Sequence, residues 1–159
     1  MTLTITQGLP GSGKSTWARQ QVLLASAMFD KPVDQIIRVN RDDIRHMLFN
    51  KYWDLPLHGE QMVSLVERGA VKNALLQCSV IVDATHLHTL SVREWRNLSY
   101  RTGHDFQIQK FEVPIEEVVR RDAERRENGQ RAGGEKVIRD MAAKWGIGPD
   151  GKIPDIYKV

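Results

Sequence analysis

The segment Gly8-Leu-Pro-Gly-Ser-Gly13-Lys14-Ser15 sets a lysine and a hydroxyl directly after a glycine-rich turn. Glycines have no Cβ, so successive backbone N–H groups can converge on an anion. β-formers run from Thr2 to Thr6 before the turn and a helical pattern follows it. The turn therefore opens on a helix N-terminus, whose positive dipole end adds to the attraction. Strand, glycine turn, lysine, hydroxyl and helix in this order make a P-loop, whose chemistry is the holding of nucleotide phosphates. Gly8, Pro10, Gly11, Ser12 and Gly13 frame the phosphates. Lys14 reaches the β- and γ-phosphates, Ser15 offers a hydroxyl to Mg2+, and Thr16 is a further phosphate contact. ATP, or another NTP, with Mg2+ is expected. The motif alone does not separate a kinase from an ATPase or a switch.

A kinase also needs a carboxylate to orient the attacking hydroxyl and take its proton. Asn40-Arg41-Asp42-Asp43-Ile44-Arg45 follows a second strand, Ile36 to Val39. In open parallel sheets ligands bind beyond the carboxyl ends of strands, so this segment belongs beside the P-loop. Asp42 is the candidate base. Arg45, three residues on, shares its helix face and suits an anionic acceptor group. The plainer reading of Asp42, Asp43 or Asn40 is a helix N-cap. Val80-Ile81-Val82-Asp83 is an apolar strand ending in a carboxylate, which could serve Mg2+ through water or hold a catalytic arginine; a strand-end turn aspartate is the alternative. Thr85 and His86 lie at the same edge as candidate substrate contacts, against a plain loop role. His86 and His88 alone make a weak zinc site.

Arg120, Arg121, Arg125, Arg126 and Arg131 crowd one stretch. Arg121 and Arg125 share a helix face, and the glycines that follow suit a lid closing over a nucleotide, with guanidinium groups on the phosphoryl oxygens. Interspersed Asp122, Glu124 and Glu127 equally fit a solvated, salt-laced helix. Trp17, Trp95 and Trp145 fall on apolar helix faces and read as core; Trp53, in a loop, is the candidate for base stacking.

These residues need a scaffold, and the chain alternates strands with helices, which implies a parallel sheet with helical crossovers. The first helix shows Trp17, Gln21, Leu24 and Met28 on one face. A loop from Trp53 to Gly59 leads to a helix marked by Val63, Val66, Ala70 and Ala74. Ser91 and Glu94 suggest a capping box. A last strand around Phe106 to Glu112 stops at Pro114, and helices follow from about Ile115 to Glu127 and from Val137 to Trp145. The expected fold is α/β: a short parallel β-sheet of about four strands, helices on both faces, and an Arg-rich helical lid at about 115–134. One domain is expected over 1–159, with an irregular tail at about 147–159. The 159 residues carry 41% hydrophobic and 27% charged side chains, ordinary for a globular chain. Net charge +3 favours polyanionic partners. No apolar run reaches membrane-spanning length and no leader pattern opens the chain, so a cytoplasmic protein without a membrane partner is expected. With Cys78 as the sole cysteine, no internal disulfide can form.

The assembled pattern resembles the kinase domain of phage-type 5′-polynucleotide kinases, in the P-loop kinase superfamily. The resemblance is carried by Gly8-Leu-Pro-Gly-Ser-Gly-Lys-Ser-Thr-Trp-Ala-Arg19, by Asn40-Arg-Asp-Asp-Ile-Arg45, by Asp83-Ala-Thr-His86 and by Val113-Pro114 through Arg125. It implies ATP and Mg2+ at Lys14 and Ser15, Asp42 as general base, and Arg45 near the acceptor-end phosphate. It further implies Asp83 as the organising partner of Arg45, and Arg121 and Arg125 as lid arginines on the ATP phosphates. His86 and His88 stand where that family often shows an asparagine, and Arg126 beside Arg125 leaves two claimants for one lid position. The Asp-x-Asp-x-Thr phosphatase motif of some members is missing, so kinase activity alone is expected. The expected reaction is γ-phosphoryl transfer to the 5′-hydroxyl of DNA or RNA, as in nucleic-acid end repair. The rivals are a small-molecule kinase acting on a nucleoside, nucleotide sugar or antibiotic, and a nucleotide-dependent switch or binding module.

Overall fold

The computed structural model describes residues 1–28 and 35–155. Its elements follow in the order β1 (Thr2–Gly8), α1 (Lys14–Met28), β2 (Ile36–Asn40), α2 (Arg41–Phe49), α3 (Leu57–Ala74), β3 (Ser79–Asp83), α4 (Thr89–Thr102), β4 (Asp105–Phe111), α5 (Ile115–Glu127) and α6 (Glu135–Lys144). Four strands form one all-parallel sheet in the order β2-β3-β1-β4. This is the α/β, P-loop kinase-type fold expected from the sequence.

Period-two alternation sorts the strand residues by face. Leu3, Ile5, Val80 and Val82 are fully buried and pack with Val63 and Val71 of α3 and Val92 and Trp95 of α4. Each such side chain contributes about 1.5–3 kcal/mol by leaving water. The opposite face carries Thr2, Thr4, Gln107 and Gln109, which with Trp17 and Gln21 of α1 line a groove of about 260 Å³. Helices thus cover both faces unequally. A second cluster joins Leu9, Leu87, Val118, Ile138, Ala142, Ile147 and Ile153, seating α5 and α6 beside the glycine turn.

Parallel pairing brings the carboxyl ends of the strands to one edge. Asn40 pairs in register with Asp83, and Gly8 with Phe111. The glycine turn, the start of α2 and the end of β3 are therefore neighbours by construction.

Some local expectations are corrected. Helix α1 buries Ala18 and Ala25, while Leu24 is 47% and Met28 71% exposed; the small residues, not the large ones, face the protein. Trp17 is half-buried with its ring edge-on to Phe111. Helix α3 begins at Leu57, inside the expected loop, because Pro56 sits at its N-cap with φ −65°, an angle already suited to a helix start. Helix α4 begins at Thr89 and is capped by His88, whose Nδ1 accepts from Leu90 N at 3.0 Å. The proposed Ser91/Glu94 box is not used; Glu94 instead faces Arg68 at 3.5 Å.

The tail is irregular, as expected, yet packed. Ile147 and Ile153 are buried, Ile115 N donates to Pro149 O at 3.0 Å, and Ile153 N donates to a Glu112 carboxylate oxygen at 3.0 Å. Residues 156–159 of the expected tail lie outside the described residues. Among the described residues no helix is long and apolar enough to cross a membrane.

Gly151 fixes the tail's path. Its φ is +77°, and a Cβ there would stand 1.9 Å from Val113 O. Gly151→Ala is expected to cost about 2 kcal/mol or more and to lower the melting temperature by about 4–8 °C. An unchanged melting temperature would detach the tail from the folded unit.

Candidate active site

The glycine turn is built as its sequence demands. Gly11 and Gly13 take φ values of +88° and +100°, which side chains disfavour. A Cβ on Gly8 would lie 2.8 Å from Ser12 Oγ and 2.9 Å from Phe111 O, so Gly8 lets the turn lie against β4. Lys14, 7% exposed, lies under the turn and donates from Nζ to Leu9 O at 2.6 Å. Burial lowers its pKa to about 8; nearby Asp83 and Asp42 oppose the shift and Arg125 adds to it. The cradle thus holds a barely compensated cation before any phosphate arrives. Ser15 borders the main cleft, of about 550 Å³, and also an adjoining basin of about 340 Å³ that takes in Thr16, Arg19 and Arg38.

Across the cleft, Asn40 caps α2 by accepting from Asp43 N at 2.9 Å. That leaves Asp42 free of a capping role. Its carboxylate meets Arg45 Nη1 at 2.6 Å through Oδ1 and Arg131 Nη2 at 3.1 Å through Oδ2. Arg45 is gripped by Glu60 through two bonds, at 2.7 and 3.0 Å. Arg41 joins Glu60 at 2.8 Å to Glu67 at 2.7 Å. Hydrogen bonding from Arg45 holds the Glu60 carboxyl below its usual range, whereas burial pushes that of Glu67 up in spite of Arg41. Asp42, Arg45, Glu60, Arg41 and Glu67 form one chain of alternating charge between α2 and α3.

Asp83 is 0% exposed. It accepts from Arg38 Nε at 2.7 Å, Asn40 Nδ2 at 3.1 Å and Thr6 Oγ1 at 3.5 Å. The arginine it organises is therefore Arg38, whereas Arg45 takes Glu60 as its partner. Asp83 still borders the cleft with Lys14 and Ser15. A hydroxyl and a buried carboxylate on one wall are hard oxygen donors that fit Mg2+.

Thr85 lines the cleft. His86 does not: it is 6% exposed, has φ +40° and places Nδ1 2.8 Å from Thr6 O. Its ring stands edge-on to Trp95, and burial lowers its pKa to about 4, keeping it neutral at physiological pH. It braces the end of β1 from behind. Among the described residues no group of His, Cys, Asp and Glu is arranged as a metal cluster.

Of the arginine run, Arg125 borders both the cleft and the basin. Arg121 pairs with Glu117 at 2.7 Å and borders neither. Arg126 lies 3.8 Å from Asp122. Asp122, 2% exposed, accepts from Gly133 N and Gly134 N, each at 2.8 Å, and so pins the loop between α5 and α6. That loop delivers Arg131 into both spaces. Sequence reasoning assigned no role to Arg131, Arg38 or Glu60, and placed Asp122 only in a salt-laced helix. Arg131 at least stood in the arginine run; Arg38 and Glu60 carried no local signal, since their partners lie on other elements.

Lys14 must be protonated to attract phosphate. Its pKa of about 8 means the free protein loses that proton as pH rises through 8. ATP affinity is expected to hold below that pH and then fall by up to about tenfold per pH unit, measured by calorimetric titration. Lys14→Met should weaken binding at neutral pH and remove the dependence; a flat affinity to about pH 9.5 would contradict the burial of the charge.

Comparison with known proteins fits this geometry. A protein of Autographa californica nuclear polyhedrosis virus, provisionally named a bifunctional polynucleotide kinase/RNA ligase, is 26% identical in an alignment 136 residues long that covers 77% of this chain and 18% of that protein. A chain in the structure of a Pnkp1/Rnl/Hen1 complex is 31% identical with a TM-score of 0.62, covering 76% of this chain and 38% of the other. A chain in the structure of the Pnkp1/Rnl/Hen1 RNA repair complex gives a TM-score of 0.73 at 24% identity, covering 99% of this chain and 50% of the other. The chain thus spans half or less of the length of these relatives. The model of the AAA domain family matches residues 3–146; the chain belongs to that family, and its domain, of P-loop kinase-type fold, is distantly similar to polynucleotide kinases.

Proposed function

We propose that the chain transfers the γ-phosphoryl group of ATP, or of another NTP, to the 5′-hydroxyl end of DNA or RNA. The observation that carries this reading is the pairing, across one cleft, of the phosphate cradle at Lys14 and Ser15 with the Asp42 carboxylate held by Arg45. A switch or binding module has no need of a positioned carboxylate opposite its γ-phosphate site. The Arg45 guanidinium beside Asp42 favours an acceptor that carries its own phosphate.

The roles follow from position. Asp42 orients the 5′-hydroxyl and takes its proton as the new O–P bond forms, and the bond to the β-phosphate oxygen breaks in line. Lys14 and Arg125 lie where they stabilise the charge on the transferring group and on the departing diphosphate. Arg45, fixed by Glu60, offers its cation to the phosphate nearest the acceptor end. Thr85 lines the acceptor half. Mg2+, held by Ser15 with Asp83 in reach through water, would add further neutralisation of the phosphate charge. Arg121, on the same face of α5 as Arg125, joins the phosphates only if the lid helix turns inward.

The test supplies Mg2+ and γ-labelled ATP with a 5′-hydroxyl oligonucleotide, its 5′-phosphorylated form and mixed nucleosides. Label is expected on the 5′-hydroxyl oligonucleotide alone, with Asp42→Asn keeping ATP affinity and losing about 10²–10⁴ in kcat. Label on nucleosides alone would make this a small-molecule kinase. ATP binding without transfer to any acceptor would make it a switch.

A further inference from the structure

The acceptor half of the cleft contains a stack that the transfer chemistry does not explain. The His46 ring lies parallel to that of Tyr52, with centroids 4.6 Å apart and planes 17° from coincidence. On Tyr52 the Arg131 guanidinium sits 4.3 Å from the ring centroid. The same guanidinium bonds Asp42 Oδ2 at 3.1 Å. His46 stands one helical turn beyond Asp42 on α2, so ring stack and carboxylate share a helix face. Asn50, left-handed at φ 53°, ends α2 and turns the chain back so that Tyr52 can lie on His46.

One side chain thus touches an aromatic ring and the candidate base at once. A nucleoside whose 5′-hydroxyl lay on Asp42 and whose base lay on Tyr52 would need the same space. We propose that the Tyr52 face covered by Arg131 is the seat of the acceptor's terminal nucleobase, and that Arg131 is a plug the acceptor displaces. The proposal rests on the polynucleotide reading above and deepens it. The ring is pre-set: His46 supports it from one side and half-burial limits its motion, so little ordering cost remains for a base that stacks on it. The plug is weakly held. Both partners of the Arg131–Asp42 pair are about 40% exposed, and such pairs are readily exchanged. Once displaced, Arg131 remains beside Ser15 and Thr16, whose basin it also borders. Trp53, 58% exposed and tilted beside Tyr52 at 6.1 Å, forms the outer wall of the seat.

The experiment compares a 5′-hydroxyl oligonucleotide with the same oligonucleotide ending in an abasic 5′-residue that retains its hydroxyl. Stacking of a base on an aromatic side chain supports an expected KM about tenfold higher for the abasic end. Tyr52→Phe should keep that difference, and Tyr52→Ala should erase it with the KM for ATP unchanged. Arg131→Ala should lower the KM for the intact oligonucleotide. Equal KM values for the two ends in the wild-type protein, with normal turnover, would overturn the seat while leaving the kinase reading in place. A raised KM in Arg131→Ala would make Arg131 an acceptor ligand and overturn the plug. A wild-type protein that labels neither oligonucleotide would remove the polynucleotide reading and the seat together.

Discussion

The architecture turns on one buried carboxylate. Asp83 is fully enclosed, where an unpaired charge would be costly. It is tolerated because Arg38, Asn40 and Thr6 meet it and because the Lys14 ammonium feels its field. These partners come from β2, the end of β2, β1 and the first residue of α1. A single charge therefore ties the strand ends that form the floor of the cleft. The arrangement is reciprocal: burial lowers the pKa of Lys14 to about 8, and the Asp83 carboxylate opposes that shift. The phosphate cradle and the acceptor segment are held to the same anchor, with Asn40 bonding Asp83 on one side and capping α2 on the other.

From that anchor, charge alternates outward. Asp42 is set by Arg45, Arg45 by Glu60, and Glu60 by Arg41, which ends on the buried Glu67. The chain explains why α3 lies where it does. Its apolar residues, Val63 and Val71, fill the core, while Glu60 and Glu67 aim two carboxylates at arginines of α2. Packing and acceptor geometry are set by the same helix, so loss of its core contacts would also misplace Arg45. On the far side, Asp122 plays the same part for the lid loop by pinning the backbone of Gly133 and Gly134, which fixes where Arg131 enters.

How much of this was legible in the sequence depended on whether the cause was local. The glycine turn, its lysine and hydroxyl, and the strand–helix alternation are short-range patterns, and the structure follows them. Helix α5 begins after Pro114 and ends at Glu127 as read. Asp42 could be named as a base candidate from its place after the second strand, and of the cap alternatives weighed beside it Asn40 takes the cap, which leaves Asp42 free of that role. What could not be read was pairing at a distance. Arg38 looked like an ordinary strand residue, and Glu60 lay just past the stretch expected to be a loop, Trp53 to Gly59. The resemblance assigned Asp83 to Arg45, but a strand-end carboxylate meets the neighbouring strand first, and there Arg38 waits. His86 carried the right chemistry for a ligand, yet its positive φ and the Thr6 carbonyl turn it into the core. Trp53 drew notice as an aromatic in a loop, whereas Tyr52, one residue before it, holds the stack.

The central claim is that Asp83 and Lys14 form one buried electrostatic unit on which the cradle depends. It is tested most directly by following the Lys14 ε-carbon by NMR through a pH titration, with Lys14→Met used to assign the signal, in the wild-type protein and in Asp83→Asn. The account predicts a midpoint near 8 in the wild-type protein and a lower one in Asp83→Asn, because the carboxylate that opposes desolvation is gone. Identical midpoints in the two proteins, or a wild-type value near the ordinary lysine range, would contradict it.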